Sequence, residues 1–597
     1  MPNPNVAFNG QELVIPGVYG SVFTTAGNVS NSSSNLPLIF IAAGYGGVPQ
    51  TAYSFFTPND LSNAMRGAPS AAFAPFFYNP SSGVSGANQV IYINVSPSTQ
   101  SSTVISGTLT GGSDISLVTL TSTNYGTPSN RLSYSIATGT ITPGYNLTLT
   151  DDYANIKNTG YNLGVPFGLA YIGTAASGVT FTVDNTTPDP TFELSSPNSG
   201  ESFSYVLSKE NFPTITSLVN AINATGFYTA YTISSTNGGM PANQLDIVSS
   251  VALPSPISGA YTFVSVTAML NDLAYYVNTY ATPYATATVE TGVTSVSTIQ
   301  YSTLSGQFSG ATNGVPTSSD YSSALDIALT IPASVVFLDS NAADIVALGV
   351  AHARSASQPS ISMPRRFVTG PVTGTTISQV LSLSASYNSK ETTVAYPGGY
   401  APSPTSGAST LYSSLYTAAF YAGMMAGNPP ATPLTNKPVN FTAPEVSLDV
   451  SQINELQMGG VMPIYLPSST NIPTIASDMT SWQNDSNPYN IFNQQVALSQ
   501  ALLIQLINTY QPFIGTVVIS AKTTGAAIIS RGQRLLRSLF GTIVSPQTTP
   551  VITATYNPVS ESWAVSVTAA LVGQTRFITI ALNLTPLNIS VSSVSTG

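Results

Sequence analysis

Between residues 315 and 400 the chain contains several segments with helical periodicity, and a short apolar segment lies between the first two of them. The periodicity predicts helices at Asp320–Leu329, Ala342–Arg354 and Ile377–Tyr387 and a strand at Ser334–Leu338. This alternation is typical of an α/β layer with parallel strands, because helices usually supply the crossovers between parallel strands. The apolar run Leu36–Ala43 is expected to add a further strand to the same sheet.

The residues after this run predict a strand–helix–strand unit. Gly44–Pro49 is a turn-forming segment that follows the first strand. Thr57 is placed to cap a helix, with Pro58 at its first position and Asp60 at its third. The alternating run Gln89–Val95 is the next predicted strand.

From about residue 96 to residue 285 the composition shifts to Ser, Thr, Gly and Asn. Short alternating runs such as Arg131–Ile136 and Tyr145–Thr150 predict strands, and Ile215–Ala224 predicts a helix, with Gly226 beyond its end. We interpret this stretch as a β-rich insertion of one or two subdomains. The predicted fold class is therefore mixed α/β (α+β) and multidomain, as expected for 597 residues, with α/β core layers and a β-rich insertion.

A run of turn-forming residues, Gly427–Pro433, marks a boundary before a C-terminal domain. The predicted elements of that domain are a helix at Ile491–Tyr510, a strand at Thr516–Ser520, a helix at Ala526–Phe540 and strands at Val551–Tyr556 and Ala564–Leu571.

Both ends of the chain carry an apolar strand-like segment, at Val14–Phe23 and at Phe577–Leu584. Each is too short to form a stable sheet alone, so its backbone N–H and C=O groups need a partner strand. We therefore expect strands exchanged between subunits, and the candidate residues are Val14, Ile15, Val18, Tyr19, Phe577, Ile578, Ile580 and Leu582.

Charged residues are unusually scarce: they make up 6% of the chain, against about 25% in ordinary soluble proteins, while 43% of residues are hydrophobic. Disordered chains combine high charge with low hydrophobicity, so disorder is excluded. Apolar runs such as Leu36–Ala43 are also too short to span a membrane. The composition favours a folded chain that hides much of its surface against other copies. The chain has no cysteine, and Met1–Gly20 shows no secretory signal.

The few charges are unevenly distributed. Residues 442–485 hold five acids and no base, whereas residues 486–597 hold one acid and five bases. Five cations in the last 112 residues are too few for a nucleic-acid surface, which needs a denser basic patch.

The predicted helix Ala526–Phe540 concentrates this positive charge. At 100° per residue its apolar residues share one face, whereas Arg531, Arg534 and Arg537 share the opposite face. A solvated helix face would explain the pattern, but three of only 14 cations on one face also indicate a contact with an acidic partner.

Few residues are candidates for catalysis. His352, the one histidine, lies in mid-helix, where a packing role is the better interpretation. A single histidine excludes the H-E-x-x-H zinc motif, and no G-x-S-x-G motif is present. Gly44–Gly47 lacks the spacing and the lysine of a nucleotide loop and is better interpreted as a turn. We therefore expect no catalytic residue and no cofactor.

Two acidic groups are candidate calcium sites. Asp184, Asp189 and Glu193 lie close together in a loop rich in Pro and Thr, and Asp151 and Asp152 are adjacent. Either group could hold a calcium ion, but an acidic surface loop without a metal is the better interpretation, so no metal is expected.

Several segments, in their order and spacing, resemble the contractile bacteriophage tail sheath protein family. They are Pro16–Tyr19, Ser54–Leu61, Ala418–Pro430, Pro433–Pro438 and Arg576–Ile580. The resemblance covers roughly residues 10–95 and 300–585, and residues 96–285 match nothing recognisable.

The resemblance implies a structural subunit and no enzymatic activity. Six-subunit rings would stack around a tail tube, terminal arms would donate strands to neighbouring subunits, and contraction would drive the tube through a host envelope. The implied partners are further copies of the chain, the tube protein, and the baseplate and tail terminator proteins, with no direct nucleic-acid contact and no membrane insertion. The implied location is the virion tail, after synthesis in the bacterial cytoplasm, and the arginine face would contact the tube.

The predicted division of the chain follows from these features. It comprises an N-terminal arm (1–22), an α/β domain in two parts (23–95 and 286–435), an outer β-rich insertion (96–285), a tube-proximal C-terminal domain (436–580) and a C-terminal arm (581–597). The alternative function is a virion surface or adhesin-like protein whose insertion binds a receptor.

Overall fold

The computed structural model describes residues 6–8, 11–13 and 36–573, with gaps at 110–112, 142–143, 185–188, 234, 254–260, 263–265, 292–298, 302, 359–360, 362, 405 and 519.

The elements of the first part of the chain are β1 (Val6–Phe8), β2 (Gln11–Leu13), β3 (Leu38–Ala42), β4 (Ala52–Phe55), α1 (Pro58–Ala64), α2 (Ala74–Tyr78) and β5 (Val90–Asn94). Of these, β3, α1 and β5 form the predicted strand–helix–strand unit. The Thr57 hydroxyl accepts the backbone N–H of Asp60 at 3.2 Å, and Pro58 is the first helical residue. This confirms the predicted helix start.

The region of residues 96–285 is rich in β-structure, as predicted, and this β-structure continues past the predicted boundary to about residue 309. Its strands are β6 (Gln100–Leu109), β7 (Asp114–Tyr125), β8 (Leu132–Thr138), β9 (Tyr145–Asp151), β10 (Ile156–Leu163), β11 (Phe167–Tyr171), β12 (Thr180–Asp184), β13 (Thr191–Ser195), β14 (Phe203–Val206), β15 (Tyr228–Thr232), β16 (Val248–Ala252), β17 (Tyr261–Thr262), β18 (Ala285–Val289), β19 (Ile299–Tyr301) and β20 (Ser305–Gln307). Its helices are α3 (Ile215–Asn223), α4 (Ser235–Gly239) and α5 (Val266–Tyr280). The strands form four sheets and enclose two separate apolar cores.

The 15-residue helix α5 was not predicted. Its β-branched and aromatic residues have only intermediate helix propensity. The segment therefore resembles the strands around it in sequence. The helix is nevertheless stabilised by packing in one of the two apolar cores of this region. The buried residues occur at helical spacing and are Leu270, Leu273, Ala274 and Val277.

The chain then returns to alternating strands and helices. The elements are α6 (Ser318–Ala328), β21 (Val335–Leu338), α7 (Ala343–Ala356), β22 (Arg366–Thr369), α8 (Ile377–Tyr387), β23 (Thr392–Tyr396), β24 (Gly399–Pro402), β25 (Ser409–Tyr412), α9 (Ser414–Gly427), β26 (Ala443–Pro444), α10 (Val450–Met458), β27 (Val461–Tyr465) and β28 (Thr474–Ile475). Predicted helix α8 has the bounds expected from the sequence, and α6 and α7 shift by one or two residues.

One eight-stranded sheet unites the two separated parts of the chain, in the order β28-β27-β23-β22-β21-β3-β5-β4. The six strands from β27 to β5 are parallel, and the two edge strands are antiparallel. This confirms the predicted parallel α/β layer and the place of the strand at Leu36–Ala43 within it. The sheet also continues past the predicted boundary at residue 435, because β27 and β28 belong to it.

Both faces of this sheet are buried. Helices α1, α2 and α9 cover one face, and α6, α7, α8 and α10 cover the other. Helix α9 lies almost entirely in the core. Gly423 and Gly427 allow this close approach, because a Cβ atom there would lie 2.3 Å from the Phe77 carbonyl oxygen and 1.9 Å from that of Gly86.

The C-terminal part consists of two long helices and a β-hairpin. The elements are α11 (Pro488–Ile491), α12 (Asn493–Tyr510), α13 (Ala521–Ser538), β29 (Val551–Asn557) and β30 (Ser562–Thr568). Residues from α12, α13 and both strands share one apolar core with Leu571 and Val572.

The predicted strand at Thr516–Ser520 is wrong. Residues 516–518 and 520 are irregular, Val517 is 83% exposed, and α13 starts at Ala521. The run of β-branched residues satisfies strand propensity, but among the described residues no strand pairs with it, and propensity alone does not form a sheet.

A buried carboxyl group makes the stability of the insertion depend on pH. Asp272 on α5 is fully buried, and one of its oxygens accepts the Gly164 N–H at 2.8 Å. Burial raises the pKa of Asp272 to about 7, although the Gly164 hydrogen bond opposes that shift.

We expect Asp272→Asn to stabilise the chain above pH 7. Because the folded pKa lies above the ordinary value of 3.8, the stabilising contribution of Asp272 is complete below pH 3.8 and is lost as the pH rises through 7. Asparagine stays uncharged, so the gain should grow from about pH 4 to pH 7 and reach on the order of 2–4 kcal/mol.

Calorimetric melting of both proteins at pH 4, 6 and 8 measures this difference. Asp326→Asn, at an exposed position of α6, is the control and should show no such gain. A variant at residue 272 that melts with its parent at pH 8 would contradict the account.

Candidate assembly surfaces

In the described part of the chain, β29 and β30 form a hairpin with two outer edges. The strands pair with each other over seven residues, from Val551 opposite Thr568 to Asn557 opposite Ser562. Among the described strands, neither pairs with any other. The outer edge of each strand therefore presents backbone groups that another strand could bind.

One face of the hairpin packs on the C-terminal helices. Ile552 is buried, and Val565 and Val567 pack against the same apolar core, which includes Leu536 of α13 and Leu498 of α12. The alternating burial along both strands leaves the opposite face exposed. This packing fixes the hairpin on α12 and α13.

Helix α13 presents its basic residues to solvent, as predicted. Ile528, Gly532 and Leu536 are buried, whereas Arg531, Arg534 and Arg537 are exposed. The Arg531 guanidinium lies 5.8 Å from the centre of the Phe513 ring, and no salt bridge joins the three arginines to an acid in the described part of the chain. Their charge is therefore available to a partner.

The terminal strand candidates lie outside the described residues. These are Val14, Ile15, Val18 and Tyr19 at the N-terminus and Phe577, Ile578, Ile580 and Leu582 at the C-terminus. Their strand-exchange role stays a prediction.

The residues considered for catalysis are used in packing. His352 is buried on α7, where burial and the nearby Arg365 guanidinium lower its pKa to about 3, so it is uncharged at neutral pH. In the Gly44–Gly47 segment, the Gly44 N–H donates to the Asn94 side chain at 3.0 Å. The segment is a bend closed by the chain's own side chains.

The acidic groups also have partners within the chain. Asp151 accepts two hydrogen bonds from the Arg66 guanidinium, and Asp184 accepts the Thr191 N–H at 3.1 Å. Across the described ranges, no group of three or more His, Cys, Asp or Glu residues is arranged to hold a metal ion. In the same residues no helix is long and apolar enough to cross a membrane.

Sequence reasoning missed a half-buried carboxylate at the carboxyl end of the parallel sheet. Asp339 follows β21 and accepts hydrogen bonds from Ala43 N–H (2.9 Å), the Ser70 hydroxyl (2.5 Å) and the Tyr321 hydroxyl (2.5 Å). Burial raises its pKa, although these donors oppose the shift. An Asp directly after a buried apolar strand was the available signal.

This position lies at the ends of the neighbouring strands β3 and β21. The strands of this sheet that directly follow β3 in the chain lie on one side of this pair, and the strands that follow β21 lie on the other side. Ligands of open α/β sheets commonly bind at such a switch point. Here Asp339 ties together the end of β3, the segment after α1, and α6, so its role is structural.

Comparisons with known proteins agree with this architecture. No protein-family profile matches the chain. The chain is 25% identical over 446 residues to the tail sheath protein of Bacillus phage SP01, an alignment that covers 73% of this chain and 72% of that protein.

Two solved structures share the fold. A sheath tail protein from Listeria innocua superposes with a TM-score of 0.56 at 9% identity, covering 91% of this chain and 94% of that one. A sheath tail protein from Desulfitobacterium hafniense superposes with a TM-score of 0.50 at 11% identity, covering 93% of this chain and 100% of that one.

These superpositions extend into the region that resembled nothing by sequence. An alignment that omitted residues 96–285 could cover only about two thirds of the chain. Both exceed that share, so at least part of the β-rich insertion has a counterpart in the two structures. By sequence and by fold, the chain is a relative of tail sheath proteins.

Proposed function

We propose that the chain is the structural subunit of a contractile phage tail sheath. It polymerises as stacked six-subunit rings around a tail tube and contracts to drive the tube through the host envelope. The observation that carries this proposal is the relation to a tail sheath protein over 73% of the chain. The sheath protein fold and a surface with few charges support it, because weakly charged surfaces associate readily.

The partners follow from that role. Further copies of the chain form the rings, the tube protein lies inside them, and the baseplate and terminator proteins bind the two ends of the sheath. The subunit is made in the bacterial cytoplasm and becomes part of the virion tail. A mechanical role of this kind requires no catalysis.

The parts of the chain have different places in the assembly. The α/β layer and residues 436–580 form the connected body of the sheath, with the C-terminal part nearest the tube. The insertion lies on the outside, since added modules with many Ser, Thr and Gly residues tolerate exposure.

Strand exchange joins the subunits. Among the described strands, no other strand pairs with the two outer edges of the β29–β30 hairpin, and the chain ends carry two apolar strand-like segments, at residues 14–23 and 577–584. Donated strands would complete the backbone hydrogen bonds of those edges without requiring a large apolar interface.

We expect deletion of residues 1–22 to leave a folded subunit that fails to polymerise. The deletion removes one donor strand but none of the five apolar cores. Sedimentation and circular dichroism measure the two effects separately. Deletion of residues 1–5 retains Val14–Tyr19 and is the control that should still polymerise. Normal cylinders from the longer deletion would refute strand donation by the N-terminal arm.

The arginine face of α13 is the proposed tube contact. Arg531, Arg534 and Arg537 are exposed and lie opposite the residues that pack on the core, so they can reach a partner without unpacking the helix. An exposed ion pair contributes only about 0–1 kcal/mol. Three pairs per subunit, repeated around each ring, would fix the position of the sheath on the tube. Because each pair is weak, the sheath would still release the tube during contraction.

We expect changing all three arginines to glutamine to weaken tube attachment while leaving sheath polymerisation intact. The attachment of the parent should also weaken as salt rises, since exposed charges are screened over about 8–10 Å. Co-sedimentation of sheath with purified tubes at several salt concentrations measures both effects.

A matched variant changes Arg131, Lys157 and Lys209 to glutamine, which removes the same charge from exposed positions of the insertion. It should bind tubes like the parent. If the α13 variant also does so at every salt concentration, the stripe is only a solvated helix face.

A further inference from the structure

Two chain crossings connect the insertion to the α/β layer. The chain leaves the sheet after Asn94 and returns to α6 at Ser318. The two crossings are joined by the hydrogen bond from Thr99 N–H to the Thr312 carbonyl (3.0 Å), and Gly126 N–H donates to the Thr99 carbonyl (2.9 Å). A pair of crossings held side by side forms one neck, about which the insertion could rotate.

A second attachment lies far from this neck in sequence. The Arg66 guanidinium, just after α1, donates to both oxygens of Asp151 at the end of β9, at 2.9 and 3.1 Å. The Arg66 and Asp151 side chains are 9% and 7% exposed, and this is the one salt bridge in the described part of the chain.

The surroundings of this pair are shaped to receive it. The Arg66 guanidinium lies 4.6 Å from the centre of the Tyr153 ring, and Asp151 also accepts the Tyr153 N–H at 3.0 Å. Arg66 adopts a left-handed backbone conformation with φ of +48°, followed by Gly67 at +79°. Glycine adopts this region readily, but it is unfavourable for arginine, so packing and the ion pair hold Arg66 there.

We propose that Arg66 and Asp151 form a latch that holds the insertion in one orientation on the α/β layer. At the neck, Gly126 also lies against the Tyr45 carbonyl of the layer, and the ion pair adds a second point of attachment. Because both side chains are buried in this orientation, a substitution that removes one charge leaves the other unpaired and poorly hydrated, and so disfavours the latched orientation. The insertion and the layer then move as one body. This inference does not depend on the proposed function.

The test compares Asp151→Asn with Asp152→Asn in the full-length, unassembled chain. Asparagine at 151 keeps an oxygen for the Tyr153 N–H but loses the charge that pairs with Arg66. Asp152 is its exposed neighbour and serves as the matched control. The chain has no cysteine, so cysteines introduced at the exposed positions Ile172 and Val372 carry two spin labels, one on the insertion and one on the layer.

Double electron–electron resonance then reports the distance between insertion and layer. The parent and Asp152→Asn should give the same single narrow distribution, and Asp151→Asn a broader or shifted one. Hydrogen exchange of the Thr99 and Gly126 amides in the neck should also speed up at least roughly tenfold in Asp151→Asn.

Arg66→Lys provides an independent variant if Asp151→Asn fails to fold. Lysine keeps the charge but loses the two-donor geometry and the stacking on Tyr153, so a weaker change in the same direction is expected. Parent-like distances and exchange rates in every folded variant of the pair would overturn the latch.

Discussion

The structure depends on a parallel sheet that is buried on both faces and is assembled from two distant parts of the chain. Strands β3 and β5 come from the first 95 residues, and β21, β22, β23 and β27 come from residues 335–465. Parallel neighbours require crossover connections, and a crossover can be long without disturbing the sheet. The crossover between β5 and β21 contains the whole β-rich insertion. Layer, insertion and C-terminal part are thus positioned by one set of strand pairings.

The sequence predicts this layer well because its signals are local. The apolar run at Leu36–Ala43 and the periodic helix Ile377–Tyr387 need no long-range information to be recognised. The strand predicted at Thr516–Ser520 failed for the opposite reason, since a strand requires a partner that local sequence does not supply. Helix α5 was missed because tertiary packing, and not propensity, determines it.

For the candidate surfaces, too, local sequence signals were predictive and long-range contacts were not. The basic face of α13 follows from helical geometry, and its three arginines are exposed as predicted. Contacts between residues far apart in sequence were not predictable: Arg66 and Asp151 are 85 positions apart, and Asp339 and Ser70 are 269 positions apart. Nothing in either local sequence indicates the partner. These two clusters join separate parts of the fold, so they became visible only once the parts were placed together.

The central claim is that this chain is a polymer-forming sheath subunit, and electron microscopy of the purified full-length protein tests it most directly. The account predicts long hollow cylinders whose end views show six-fold rings, because copies of the chain would bury their weakly charged surfaces against one another. Isolated monomers or trimers at every concentration and salt condition would contradict it and would favour the receptor-binding alternative.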